Sequence, residues 1–416
     1  MKKILTLLPI YLLFGCAANR SIPEPALVAR PDYKSILPSL PELKRTFHEI
    51  PELAGQEVQT QQLIKNQLLS LGLEVETEVY GRSVIGILKG KNPGPHIAWR
   101  SDMDALPHNT NESAHLKTGN PAYHGCGHDV HMAIALGIAK VLSAHRDQLS
   151  GTLYFIFQPE EETFLGAKGI IESTYFKRLK IDQIYGLHVT DLPVGEMLLK
   201  EQEIFAHQRR VELRFAPSVS KIELTGLRES IEKHTQRRQS SRDAQNITLI
   251  TDKNRGLKNQ NTIFKDYCFT TNFLMVNQKK EAILAFDTYE TDEKNLSGLL
   301  ARLVTLVDAA GLKDSMLSIR YSLANPTVVN DTRLTSEAFR YFGSRLQRSY
   351  GQVPYFNDDF AHFQRQIPGL YFLLGGSNPK RKITAMNHAP EFNVDDECMP
   401  IAVSAFSGFL IHLLKK

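Results

Sequence analysis

Thr152-Leu153-Tyr154-Phe155-Ile156-Phe157-Gln158-Pro159-Glu160-Glu161-Glu162 decides the fold class. Its opening six residues form one continuous apolar run, not the alternation of a half-solvated strand. That is the pattern of a strand buried on both faces. The three consecutive acids beyond it are costly unless a cation or solvent meets them. Working outward, His96-Ile97-Ala98-Trp99-Arg100 reads as a short strand running into Ser101-Asp102-Met103-Asp104. Asp129 to His145 reads as a mostly apolar helix, and Asp182 to Val189 as another strand. Glu57 to Leu71 carries apolar residues at helical spacing with Gly72 just past its end, and Glu74 to Tyr80 and Ser83 to Leu88 read as strands. Tyr371 to Leu374 is one more apolar strand, closed by Gly375-Gly376. Strands alternating with helices predict an α/β fold with a largely parallel sheet.

The texture changes after about Gly195. Arg209 to Phe215 alternates, Ser230 to Asn261 is polar, and Tyr267 to Val276 and Glu281 to Tyr289 look like a strand pair. With the amphipathic stretch Leu299 to Ala310, this is the content of a small α+β domain. Asn325-Pro326-Thr327 marks the return to the first domain. The 416 residues are 42 % hydrophobic and 23 % charged, which fits a globular chain of two or three domains and excludes a mostly disordered one. A net charge of +4 is too small to imply a nucleic-acid partner, and no aromatic residues interleave the basic run Arg237-Arg238…Arg242. Four cysteines in 416 residues are no disulfide framework.

Met1-Lys2-Lys3 followed by the eleven residues Ile4 to Phe14 reads as a cleaved export signal, too short to span a bilayer. Leu13-Phe14-Gly15-Cys16 resembles a bacterial lipoprotein lipobox. By that resemblance residues 1–16 are the signal with its lipobox, Cys16 is lipidated, and the chain is anchored in the cell envelope. Ala17 after the cysteine favours the outer membrane where the host has one. The alternative is an ordinary secretory signal. Residues 17–40, rich in proline, read as a tether.

Metal-type residues recur at the predicted strand ends, where ligands bind in open parallel sheets. Asp102 and Asp104 follow one strand, Glu160-Glu161-Glu162 the next, and His188 lies at the end of a third. His388 follows the last strand after a loop, and Cys126-Gly127-His128-Asp129 opens the apolar helix. Taken singly each has a bland reading; a lone cysteine is usually a small buried apolar group. A thiol nucleophile at Cys126 would leave the glutamates without a task. A zinc deaminase would need Pro-Cys-x-x-Cys, which does not occur.

The chain resembles the M20 metallopeptidases, specifically their amidohydrolase branch (subfamily D). The resemblance rests on Phe47-His48-Glu49-Ile50-Pro51-Glu52-Leu53, Arg100-Ser101-Asp102-Met103-Asp104-Ala105-Leu106-Pro107 and His124-Gly125-Cys126-Gly127-His128-Asp129-Val130-His131. It continues through Phe157-Gln158-Pro159-Glu160-Glu161-Glu162, Gly166-Ala167-Lys168, Gly186-Leu187-His188-Val189, Asn357-Asp358-Asp359-Phe360 and Asn387-His388-Ala389-Pro390. It implies a zinc-exopeptidase-like, mostly parallel sheet with helices on both faces, over 41–195 and 323–416. It also implies an inserted ferredoxin-like lid over 196–322 that often forms homodimers. The implied site holds two divalent metals on Cys126, His128, Glu162, His188 and His388. Glu161 is the implied catalytic base, and Asp104 the residue that orients a ligand. Zinc suits this mixed donor set, and manganese, cobalt or nickel could substitute. The implied substrates are small N-acyl amino acids or peptide-like amides.

The lid departs from the pattern. The Gly-rich stretch that ends in a histidine in relatives reads Ala216-Pro217-Ser218-Val219-Ser220-Lys221-Ile222, and Tyr289 stands about where relatives carry an arginine. A second reading is therefore an envelope lipoprotein that kept the fold and metals but only binds a ligand or partner. The presence of Glu161, which a pure binder has no need to keep, argues against it. A third reading, an aminopeptidase or carboxypeptidase of the wider clan, is disfavoured by the motif containing Cys126.

Overall fold

The computed structural model describes residues 39–108, 121–237 and 239–415. The proposed signal, Cys16 and the tether up to residue 38 lie outside the described residues. Among the described residues no helix is long and apolar enough to cross a membrane.

An eight-stranded sheet carries the larger domain. Its order is Glu74–Thr77, Val84–Lys89, Ser150–Gln158, Asn92–Asp102, Gln183–Pro193, Gly369–Ser377, Met197–Leu199 and Leu346–Arg348. The four central strands, Ser150–Gln158 to Gly369–Ser377, pair in parallel, with antiparallel pairs towards both edges. The apolar run that opened the sequence reading is one of these central strands. Successive side chains of a strand face opposite ways. Leu153, Phe155 and Phe157 therefore join the core on one face while Tyr154 and Ile156 join the core on the other. The first core is closed by the helices His128–Ala144 and Cys398–Leu414, with Trp99 against Phe406 at a ring separation of 5.0 Å. The second lies under the short helices Gly166–Glu172 and Phe360–Gln364. The alternation of strands and helices predicted the mostly parallel sheet, and the family resemblance implied the helices on both its faces.

The last central strands run further than the apolar pattern suggests. Gln183–Pro193 continues four residues past Val189, so His188 sits within the strand, opposite Leu373. Gly195, with φ of +75°, then reverses the chain, and Met197–Leu199 adds antiparallel to Gly369–Ser377. The large sheet thus extends past residue 196, and the smaller sheet begins at His207.

That sheet has the order Cys268–Asn277, Ala282–Glu290, His207–Phe215, Met316–Leu323, all antiparallel. Helices Lys221–Thr235 and Leu299–Ala309 complete the β-α-β-β-α-β order of a ferredoxin-like unit around its own core. The stretch 216–222 leads into the first helix through a capping box: Ser220 Oγ accepts from the Glu223 N–H, and the Glu223 carboxylate accepts from the Ser220 N–H. The connection between that helix and Cys268 does not stay in the small unit. Ala244, Ile250, Leu257, Phe264 and Tyr267 join the second core of the large domain and tie the two units together.

Candidate metal centre

Gly127 fixes the approach to the site. Its φ is +96°, and a Cβ there would lie 2.4 Å from Val189 Cγ1, so only glycine fits between Cys126 and the helix His128–Ala144. The thiol of Cys126 therefore lies at the N-terminal end of that helix, where the aligned peptide dipoles favour negative charge. Cys126 Sγ is 3.3 Å from His188 Nε2 and 3.2 Å from His388 Nε2. His388 Nε2 lies 3.5 Å from Glu162 Oε1, and His128 Nε2 is 3.8 Å from Oε1 of Glu162 and from Oε2 of Glu161. These donors fall into overlapping triads, Cys126-His128-His188, Cys126-Glu162-His388 and His128-Glu161-Glu162, the first two sharing the sulfur.

The imidazoles are held with their donor atoms free. His128 Nδ1 donates to the Asp104 carbonyl at 2.8 Å, and His188 Nδ1 to the Val189 carbonyl at 2.8 Å. A carbonyl only accepts, so each ring, when neutral as a ligand, carries its lone pair on Nε2. The Asp104 carboxylate accepts from the Glu162 N–H at 3.0 Å, so Asp104 holds both His128 and Glu162. His388 has φ of +61°, and its N–H donates to the Gly125 carbonyl at 2.9 Å. Beside it Asn387 Nδ2 donates to the carbonyls of Cys126 and Val189, pinning three parts of the site together.

The acidic triplet does not stay extended. Glu160 has φ of +57°, and Glu161 to Phe164 form a turn. Strict alternation of sides is thereby replaced by a division in which Glu161 and Glu162 both reach His128. Glu160 turns away, its N–H donating to Glu57 and its carboxylate accepting from the Tyr80 hydroxyl.

Two residues and one network escaped the sequence reading. His131 Nδ1 donates to Asp102 at 2.6 Å while its Nε2 accepts the Val189 N–H, so both nitrogens are engaged and it is no ligand. Its spacing of three from His128 on one helix was the available signal. Arg100 is fully buried and binds Asp102 at 2.6 Å, Gln158 at 2.8 Å and Asp359 at 3.0 Å, with Asp358 at 3.2 Å. An arginine at the end of an apolar strand demands such partners. Asp358 also accepts from the Tyr371 hydroxyl.

The electrostatics separate the adjacent glutamates. Burial, then Asp358, Glu162 and Asp359, push Glu161 far above the ordinary carboxylate range. Burial would also raise Glu162, but His388 and His128 pull it below its usual value. Environments that push neighbouring acids apart suit one to carry a proton and the other to stay ionised. Burial, Glu162 and Glu161 raise the Cys126 thiol strongly. Burial opposes the His128 imidazolium, yet Asp102 and Asp104 outweigh it and bring its pKa up to about 10. His128 Nε2 and Glu162 Oε1 are buried without a hydrogen-bond partner. Excess negative field, orphaned donor atoms and a thiol that only a cation would ionise all fit divalent metal.

The centre opens into a cavity of about 510 Å³, walled on the far side by Gln208, Asn272 and Tyr289 of the smaller domain and by Ile247. Metal donors beside a cavity of this size are what metal-assisted hydrolysis of an amide requires, and this protein is a metal-dependent hydrolase of amide bonds. A sequence profile described as Peptidase family M20/M25/M40 matches residues 98–412, and the chain belongs to that family. It is 28 % identical over 413 residues to thermostable carboxypeptidase 1 of Saccharolobus solfataricus, covering 92 % of this chain and 98 % of that one. It is 27 % identical over 390 residues to the N-acetyldiaminopimelate deacetylase of Lactococcus lactis subsp. cremoris, covering 89 % and 98 %. Among solved structures it resembles the Bacillus subtilis YXEP protein, described as a dinuclear metal binding peptidase of this family. There the TM-score is 0.70 at 26 % identity, covering 92 % of this chain and 99 % of that one.

Proposed function

We propose that this protein is a lipid-anchored amidohydrolase of the cell envelope that cleaves small N-acyl amino acids or peptide-like amides. Cys126, His128, Glu162, His188 and His388 would hold two divalent ions, zinc by donor type. The single observation that carries the reading is the pair of donor triads sharing Cys126, with Glu161 at their edge. Bound cations would supply a Lewis acid and lower the pKa of a water towards ~7. Glu161, beside His128 at the edge of the triads, would take the proton from that water and return it to the leaving nitrogen. Glu162 stays ionised as a donor atom, and Asp104 fixes its backbone while selecting the His128 tautomer. Arg100 binds Asp102, Asp358 and Asp359 beside the site and offsets part of their charge.

Metal-loaded protein should hydrolyse members of a panel of N-acyl amino acids and dipeptides. Retention of metals without turnover of any panel member would favour the binding-protein reading. The anchor rests on the lipobox resemblance at Leu13 to Cys16. Cys16→Ser should abolish lipid labelling and membrane partition while the domain stays folded, and a label surviving in that variant would refute the anchor.

A further inference from the structure

We propose that Glu57 is a positioning residue for Glu161: its carboxyl group clamps the main chain on one side of the turn that carries the base, as Asp104 clamps the other. The inference rests on the reading of Glu161 as the base. Glu57 is the N-cap of the helix Val58–Ser70, a position whose side chain ordinarily accepts from the first N–H groups of its own helix. It makes no such bond here. Glu52 has that task, its carboxylate accepting from the N–H groups of Gln59 and Thr60 at 3.1 and 3.0 Å. The fully buried Glu57 side chain reaches out of its element instead. Its Oε1 accepts from the Gly55 N–H and from the Glu160 N–H, both at 3.0 Å.

The grip falls where the turn needs it. Glu160 has φ of +57°, a left-handed backbone that a residue with a side chain keeps only when its surroundings hold it there. Its carbonyl accepts from the N–H groups of Leu165 and Gly166, both at 3.3 Å, which closes the turn around Glu161 and Glu162. On the other side of the base, Asp104 Oδ2 accepts from the Glu162 N–H at 3.0 Å. Two carboxyl groups from different elements thus hold the N–H groups of the residues that flank Glu161. The Glu161 side chain is left to face His128 and the cavity. Because Glu57 grips main chain, Glu160→Ala leaves the clamp in place. Burial first, and Asp104 after it, push the Glu57 pKa up to about 7, against the pull of the N–H groups it accepts from. An apolar residue at this position would escape that cost, so filling space is not what the carboxyl group is for. The clamp needs an acceptor oxygen, and a carboxylate, a carboxylic acid or an amide each offers one.

The test is steady-state hydrolysis of the best panel substrate by the metal-loaded full chain. Glu57→Ala should lower kcat about ten- to a hundredfold, the scale of a catalytic group displaced by an ångström, with KM within about twofold of wild type. Metal content should hold, because Asp104 still grips Glu162. Glu57→Gln keeps the acceptor oxygen and should recover most of the lost kcat. In a chain already carrying Glu161→Gln, Glu57→Ala should cost almost nothing further, since no base is left to position. Should Glu57→Ala not fold, Glu57→Asp withdraws the same oxygen by one methylene and is read in the same way. Wild-type kcat in the folded variant overturns the proposal. So does a full additional loss in the double variant, or a metal content that falls in step with kcat. Wild-type kcat in Glu161→Gln alone would instead sink the proposed base. If the wild type hydrolyses no panel member, the proposed function fails and amide hydrogen exchange over residues 159–166 decides the clamp. Faster exchange in Glu57→Ala than in Glu57→Gln supports it, and equal exchange overturns it.

Discussion

Hydrolysis by the Glu161→Gln protein is expected to fall by ~10²–10⁴-fold in kcat, the usual contribution of a general base. Both metals should stay bound. The substitution keeps shape and removes only the group that can accept a proton, and Glu161 Oε2 approaches His128 no closer than 3.8 Å. Glu162→Gln should fail differently. Its carboxylate faces both His128 and His388, so metal affinity should drop and excess cation should restore part of the activity. Glu160→Ala should be mildest, since Glu160 points to Tyr80 and away from the donor triads. Wild-type turnover by Glu161→Gln on the best panel substrate would show that another group moves the proton.

These three neighbouring acids also show how far sequence reaches. Their position directly after a doubly buried strand calls for a cation or solvent to meet them, and the strand alone does not choose between the two. The division of labour depends on Glu160 adopting a left-handed backbone, a choice made by the glutamate's contacts with Glu57 and Tyr80 and invisible to strand periodicity. The helix after Gly127 and the two apolar faces of the sheet were legible for the opposite reason: both follow from local pattern and burial. Asp104 was placed beside its ligands only by resemblance. The structure adds that its carbonyl serves His128 and its carboxylate serves Glu162. The Arg100 network joins residues 258 positions apart, and only the oddity of an arginine among Ile97, Ala98 and Trp99 hinted at it. In the smaller domain, the Ser220-Glu223 capping box is readable from its Ser-x-x-Glu spacing. The large sheet's extension to Met197–Leu199 depended on a reversal at Gly195 that short apolar runs do not reveal.

In the proposed site the Cys126 thiolate would serve as a ligand to both metals. Cys126 Sγ stands between His188 and His388 at 3.3 and 3.2 Å, so it belongs to two of the triads, whereas His388 belongs to one. Removing the sulfur should therefore do more harm than removing either imidazole. Elemental analysis of fully loaded, desalted protein is the direct measurement. Close to two metal ions per chain are expected in the wild type, about one in His388→Ala, and less than one in Cys126→Ala. Near-full occupancy in both variants, or a wild type that retains no metal after loading, would contradict it.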